Sequence, residues 1–265
     1  MIKHFLAAWP RVVKSLRESH ILLFLDFDGT LAPIAQTPSE AVLPTGTRRV
    51  LKKLRAKDWC TLVVMSGRTL QSLTRKVRVE GIIYGGNHGV QLTGPNIDFQ
   101  APIVSEAYRA FEMIKSNVRS LTASMKGVVI EDKTHSLSVH FREVEETDVP
   151  KLTRTVGRVV QPFVDDGYVR ITTGKKVFDI TPSSWNKGKA VQWLLRHPAL
   201  TAISQSVVPV YVGDDVTDED AFAAIGQNGF TVVVGNSRHS AAQYFLRDTA
   251  EVFKLLEKML FLRDQ

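Results

Sequence analysis

Asp26 and Asp28 stand one residue apart in the stretch ILLFLDFDGT, residues 21–30, directly after five consecutive apolar residues. Carboxylates held that close repel by about 4 kcal/mol at an effective dielectric of 20. A cation is therefore expected beside them, and a hard dication is the natural candidate. The competing reading is an Asp-rich turn with Asp28-Gly29 as its corner. A second acidic group lies in YVGDDVTDEDAF, residues 211–222. Asp218, Glu219 and Asp220 suit the first turn of a helix, where they favour the macrodipole, but that does not account for Asp214 and Asp215. An EF-hand loop is excluded, because the sixth position counted from Asp214 is Glu219 rather than Gly and the twelfth is Ile225 rather than Glu. Magnesium takes one or two carboxylates, several waters and a substrate phosphate. Asp26 and Asp214, brought from adjacent strands, could supply that need.

Ser66 alone reads as a helix N-cap, and Lys187 alone as a solvated helix residue. Together they have another logic. A hydroxyl and a helix N-terminal amide at a strand exit can bind phosphoryl oxygens, and an ammonium can neutralise charge developing there. Glu131 and Lys133 are two apart, so on a strand they share one face; a solvated charge pair near a hairpin is the plainer alternative.

These residues need elements to position them. An apolar run ending at a turn signal is the pattern of a strand buried on both faces, and open α/β sheets place ligands at the exits of such strands. Residues 21–25 fit it, as do residues 61–65 (TLVVM), just before Ser66-Gly67-Arg68, and residues 207–212 (VVPVYV), just before Gly213-Asp214-Asp215. A further strand is expected at 82–84, leading into GGNHG, and another at 231–234. Helices are expected at 47–57, through Leu70 and Leu73, at 187–195, from about 218 to Gly226, and at 250–262. Strand, helix, strand in repetition implies a parallel sheet with right-handed crossovers. Between residues 104 and 181 the rhythm changes. Leu137, Val139 and Phe141 alternate with Ser138, His140 and Arg142, the period of a half-exposed strand. Strands at 168–172 and 177–181 and helices near 105–124 and 149–162 complete a small α+β insert. At residues 1–20, apolar residues recur at helical spacing but are interrupted by charges. A helix packing on the following domain is expected there, not a signal peptide.

Hydrophobic residues make up 44% of the 265 and charged residues 23%, as in ordinary soluble globular proteins. No run reaches the length that spans a membrane. The net charge of +7 suits an anionic partner, but the basic residues are scattered and no cationic, aromatic stripe for nucleic acid is visible. Cys60 is the only cysteine, which rules out an internal disulfide framework and a cysteine-based zinc cluster and points to a reducing compartment.

Taken in order, DFDGT, SGR, Lys187 and GDD resemble the motifs of the haloacid dehalogenase superfamily of phosphotransferases, over residues 21 to about 255. The longer strings LDFDGTLAPI, GNHG, EDKTHSLSVHFR, NKGKAV and YVGDDVTDEDAF resemble the trehalose-6-phosphate phosphatases. The resemblance implies an α/β fold, a Rossmann-like parallel-sheet core at 21–103 and 182–265, with a smaller α+β cap at 104–181 and the helix of 1–20 packed on the core. It implies Mg2+ bound by the Asp26 carboxylate, the Asp28 main-chain carbonyl and Asp214, with Asp215 and Asp218 as further ligands or as support. Asp26 would be the nucleophile, Asp28 the general acid and base, and Ser66 and Lys187 would hold the phosphoryl group. Substrate contacts would come from Gly67, Arg68, His88, Glu131, Lys133, Arg142 and Asp179. Asp179 is one methylene shorter than the Glu common in that family, and Gln91 stands where a carboxylate is common. The implied protein is a cytoplasmic, monomeric phosphatase of a small phosphosugar, with no nucleic-acid or membrane partner. The same chemistry on sucrose phosphate or glucosylglycerol phosphate, a phosphomutase, and a catalytically silent sugar-phosphate sensor are the alternatives. A sensor is expected to have lost Asp26, Asp28 or Lys187, and all three are present.

Overall fold

The apolar run that ends at Asp26 lies in the middle of a nine-stranded sheet in the computed structural model, which describes residues 2–203, 206–235 and 239–263. The chain divides into two units, one drawn from Met1–Gln100 and Lys187–Gln265 and the other from Ala101–Asn186. The first begins with β1 (Lys3–His4), α1 (Phe5–Arg17), β2 (His20–Asp26), α2 (Thr45–Arg55), β3 (Cys60–Met65), α3 (Leu70–Val77), β4 (Ile83–Gly86) and a hairpin of β5 (Gln91–Gly94) and β6 (Ile97–Gln100). The second contains α4 (Ser105–Thr122), β7 (Val129–Asp132), β8 (Leu137–His140), α5 (Val149–Asp165), β9 (Val169–Gly174) and β10 (Val177–Pro182). The chain then returns to the first unit with α6 (Lys187–Arg196), α7 (Pro198–Thr201), β11 (Val207–Gly213), α8 (Glu219–Ile225), β12 (Phe230–Val234), β13 (Tyr244–Leu246) and α9 (Thr249–Leu260).

The large sheet has the order β1-β13-β12-β11-β2-β3-β4-β5-β6. Its first seven strands pair in parallel, and β5 and β6 add an antiparallel edge. Every residue of β2 is buried, as a strand covered on both faces requires. Ile21, Leu23 and Leu25 join a core with Leu16 of α1, Leu51 and Leu54 of α2, Leu73 and Val77 of α3, and Leu255 and Leu256 of α9. On the opposite face Phe24 stacks on Tyr211 of β11 at 5.8 Å between centroids, and Tyr211 meets Phe222 of α8 edge-on at 5.6 Å. The chain leaves β2 toward β3 on one side and comes back as β11 on the other, so β2 borders a topological switch point.

The parallel α/β core matches the fold class expected from the sequence. Among the pieces not foreseen are β1, which continues the sheet beyond β13, β13 itself, the β5–β6 hairpin and the short helix α7. In the second unit, four antiparallel strands in the order β7-β8-β10-β9 carry α4 and α5 on one face, packed through Ile114, Val118, Leu152, Val156, Leu137, Val139, Phe178 and Ile180. The units divide at Ala101 and Asn186, where the sequence reading set 104 and 181. Among the described residues, no helix is long and apolar enough to cross a membrane.

Candidate active site

Three neighbouring parallel strands end together. Asp26 is the last residue of β2, Ser66 follows β3, and Asp214 follows β11. Beyond Asp26 the chain turns sharply, with Leu31 N and Ala32 N both donating to Phe27 O at 3.0 and 2.9 Å. Gly29 adopts φ +87°, and a Cβ there would lie 2.1 Å from Asp214 Oδ2. The glycine therefore serves twice, for backbone conformation and for close approach. The Asp-Gly corner and the metal-type cluster, weighed as alternatives in the sequence, coexist: the corner presses directly on the second acidic group. Thr30 Oγ1 also donates to Asp214 Oδ1 at 3.2 Å.

Asp26, Asp214 and Asp218 each offer a carboxylate oxygen, and these atoms all lie within 4.8 Å of one another. Lys187, the first residue of α6, is 1% exposed. Its Nζ donates to Asp26 Oδ1 at 2.6 Å and to Asp218 Oδ1 at 2.7 Å, so it is not the solvated helix residue that its type alone suggests. Tyr211 Oη donates to the same Asp218 oxygen at 2.8 Å, and Asp215 N donates to Asp218 Oδ2 at 3.0 Å. The Asp215 carboxylate in turn accepts from Thr217 Oγ1 at 3.3 Å, and Asp218 N donates to Asp215 O at 3.0 Å. Burial pulls the Lys187 ammonium down, but Asp218 and Asp26 outweigh it and hold the pKa well above the usual lysine value. Burial pushes the Asp26 carboxyl well up, Lys187 opposes this, and Asp218 and Asp214 push it further. One buried ammonium thus bonds two buried carboxylates, with a third, half-buried, beside them. The oxygen-only donor set and the excess negative charge fit a hard divalent cation such as Mg2+.

Asp28 points to a different partner. Arg68 donates to it through two hydrogen bonds, Nε to Oδ2 at 2.7 Å and Nη2 to Oδ1 at 2.6 Å. Ser66 Oγ lies 3.5 Å from Asp28 Oδ2 and accepts from Arg68 N at 3.2 Å. Ser66 is not the cap of α3: Thr69 is, accepting from Ser72 N at 3.2 Å. The loop after β4 is tied to the one after β3, because Asn87 N donates to Arg68 O at 2.7 Å and His88 N to Ser66 O at 2.9 Å. The His88 ring covers Gly67, where an added Cβ would come within 2.6 Å of it. Asp26, Asp28, Ser66, Gly67, Arg68, His88, Lys187, Asp214, Asp215 and Asp218 therefore form one cluster of contacts in the first unit.

A separate cluster lies within the second unit. Lys133 is buried in the β7–β8 turn rather than on the strand, with Nζ 3.8 Å from Glu131 Oε2 and 3.7 Å from Asp179 Oδ1. Ser138 Oγ donates to Asp179 Oδ1, and His140 Nε2 meets Glu131 Oε2 at 3.0 Å. Arg142 Nη2 donates to Lys175 O at 3.1 Å.

Several functional-looking contacts were missed from the sequence. Tyr211 sits in an apolar strand run and carries no polar signal of its own. Ser138 and His140 did show one, as the polar phase of the alternation in β8.

The family model for the trehalose-phosphatases matches residues 24–250. The trehalose-phosphate phosphatase of Mycobacterium tuberculosis is 34% identical over 243 residues, covering 89% of this chain and 60% of the relative. Trehalose-phosphate phosphatase B of Arabidopsis thaliana is 34% identical over 265 residues, covering 95% of this chain and 69% of the relative. The chain thus spans about 60% of the length of the mycobacterial relatives it matches. Among solved structures, the C-terminal domain of the trehalose-6-phosphate phosphatase of C. albicans superposes with a TM-score of 0.86 at 22% identity, covering 98% of both chains. That likeness speaks for the fold.

Proposed function

The chain belongs to the trehalose-phosphatase family, and from that premise we propose that it is a magnesium-dependent phosphatase hydrolysing trehalose 6-phosphate to trehalose and phosphate. The observation that carries this reading is the arrangement around Asp26: a carboxylate at the exit of a buried central strand, bonded to Lys187, with Asp214 and Asp218 oxygens within 4.8 Å and Asp28 two residues on.

In this reading the Asp26 carboxylate attacks phosphorus and forms an aspartyl-phosphate. Asp28 gives a proton to the departing sugar oxygen, an alkoxide too basic to leave unaided, and then takes one from the water that attacks the same phosphorus and frees Asp26. Lys187 neutralises charge on the phosphoryl oxygens as they approach Asp26. Ser66 holds a phosphoryl oxygen, with Gly67, Arg68 and His88 forming the adjoining wall. The Asp26 and Asp214 carboxylates and the Asp28 main-chain carbonyl would hold Mg2+, with Asp215 and Asp218 in support, and the ion when bound would supply positive charge to the phosphoryl group. Glu131, Lys133, Arg142 and Asp179 recognise sugar hydroxyls. A cytoplasmic monomer completes the reading: the one cysteine, Cys60, is buried and free, as suits a reducing compartment.

Phosphate release from a panel of phosphosugars, with Mg2+ and with EDTA, tests it. Trehalose 6-phosphate is expected to be the best substrate and EDTA to abolish turnover. Faster release from sucrose phosphate or glucosylglycerol phosphate overturns the substrate and keeps the reaction. Undiminished turnover in EDTA overturns the metal.

A further inference from the structure

The sheet of the second unit has a polar face that its core does not need. Leu137, Val139, Phe178 and Ile180 pack with α4 and α5, so the alternate residues Ser138, His140 and Asp179 project from the other face. In register, Ser138 stands opposite both Glu131 of β7 and Asp179 of β10, and His140 stands opposite Val129 and Val177. The central strand thus lies between the two outer carboxylates and supplies a donor to each. Ser138 Oγ donates to Asp179 Oδ1, and His140 Nε2 lies 3.0 Å from Glu131 Oε2. A carboxylate only accepts, so Nε2 carries the proton. Lys133 Nζ, at 3.8 and 3.7 Å, sits between the carboxylates as a charge but beyond hydrogen-bond reach of either.

We infer that Ser138 and His140 are positioning residues for sugar recognition: they fix the directions in which Asp179 and Glu131 present acceptor oxygens to the hydroxyls of a sugar phosphate. This rests on the sugar-phosphate reading above. Glu131 has three side-chain torsions and a side chain 40% exposed, so its carboxylate needs a partner to hold one direction. His140, on the neighbouring strand β8, supplies one at 3.0 Å. Asp179 is short and nearly buried, and its carboxylate is oriented by the fully buried Ser138 hydroxyl. Hydroxyl-rich ligands are distinguished by the direction of hydrogen bonds, so preoriented acceptors raise affinity by removing the ordering cost on binding.

The test compares the wild-type chain with His140→Ala, His140→Gln and Ser138→Ala, on trehalose 6-phosphate and on p-nitrophenyl phosphate, which has no sugar. Each alanine variant is expected to raise KM for trehalose 6-phosphate about tenfold, the size of one lost hydrogen bond to a charged group. The ratio of the effects on the two substrates is expected to exceed about fivefold in kcat/KM on the same scale. His140→Gln, whose amide can donate from the Nε2 position, is expected to recover most of the loss. An unchanged KM, equal losses on both substrates, or a glutamine as poor as the alanine would overturn the inference. If the wild type hydrolyses a different sugar phosphate instead, the substrate reading fails, and the same four proteins on that sugar phosphate decide the positioning roles. If it hydrolyses none, both fall.

Discussion

Arg68 grips Asp28 with two parallel hydrogen bonds of 2.7 and 2.6 Å, while its guanidinium lies 5.4 Å over the Phe27 ring. The pair spans two adjacent strand exits and holds the proposed proton donor in one direction. Bidentate geometry of this kind is particular to arginine. Arg68→Lys is therefore expected to slow trehalose 6-phosphate hydrolysis at least about tenfold more than p-nitrophenyl phosphate hydrolysis, because only the sugar alkoxide needs a well-placed acid. Equal losses on the two substrates would assign Arg68 to phosphate binding alone.

Asp26 and Lys187 allow a stability test in the absence of metal. Asp26→Asn removes one of the two carboxylates bonded to the buried Lys187 ammonium, beside a third, Asp214. In EDTA this variant is expected to melt no lower than the wild type, while turnover is lost. Added Mg2+ at about one hundred times its Kd is expected to stabilise the wild type by about 2.7 kcal/mol and the variant much less. Lys187→Met leaves buried carboxylates without their ammonium and is expected to cost about 3–5 kcal/mol. Thermal denaturation with and without metal measures all three effects.

Gly29→Ala attacks the contact between the two acidic loops. At φ +87°, with Asp214 Oδ2 2.1 Å from the new Cβ, the alanine must displace the carboxylate. The left-handed backbone alone costs about 1–2 kcal/mol. A raised Mg2+ requirement for half-maximal activity is expected alongside the lower melting temperature. An unchanged requirement would show that the site does not depend on the position of Asp214.

Burial holds the His20 imidazole below the ordinary value of 6.5, with Arg263 adding to the effect, and burial does the same to His135. The unfolded chain then takes up protons that the folded chain refuses. Stability is fully present above about pH 6.5 and is lost as the pH falls from there through the lowered folded-state values. Melting temperature is expected to fall as the pH drops below about 6.5, and His20→Gln, which retains a hydrogen-bonding group toward Thr61, to flatten part of that fall. An unaltered slope would clear His20 of the effect.

The central strands were legible because β2, β3 and β11 are apolar runs buried nearly throughout, and an aspartate at the exit of such a run is chemically out of place. β1 was not legible: it is a lysine and a histidine that become a strand only by pairing with β13. The β5–β6 hairpin turns through Pro95 and through Asn96 at φ +57°, and a proline in sequence signals a break without saying that the chain doubles back. In the site, Asp26, Asp214 and Lys187 could be picked out by type and motif. The Arg68–Asp28 pair could not, because it joins residues 40 positions apart and needs the knowledge that β2 and β3 are neighbours. Tyr211 was hidden for another reason. A buried hydroxyl looks apolar until its acceptor, Asp218, is known.

The buried bond between Asp26 and Lys187 joins residues 161 positions apart, and β2 gains one of its two neighbours only from β11. A chain being synthesised from its N-terminus must therefore carry β2 with an unpaired apolar edge until the whole second unit and β11 have been made. Exposed strand edges of that kind promote aggregation, and pairings across long sequence separations form slowly. The second unit has a core of its own, built within residues 101–186. The cluster around Asp26 cannot be complete until Asp218 has been made, so a product ending before that residue carries Asp26 and Lys187 without the carboxylate that bonds the same ammonium.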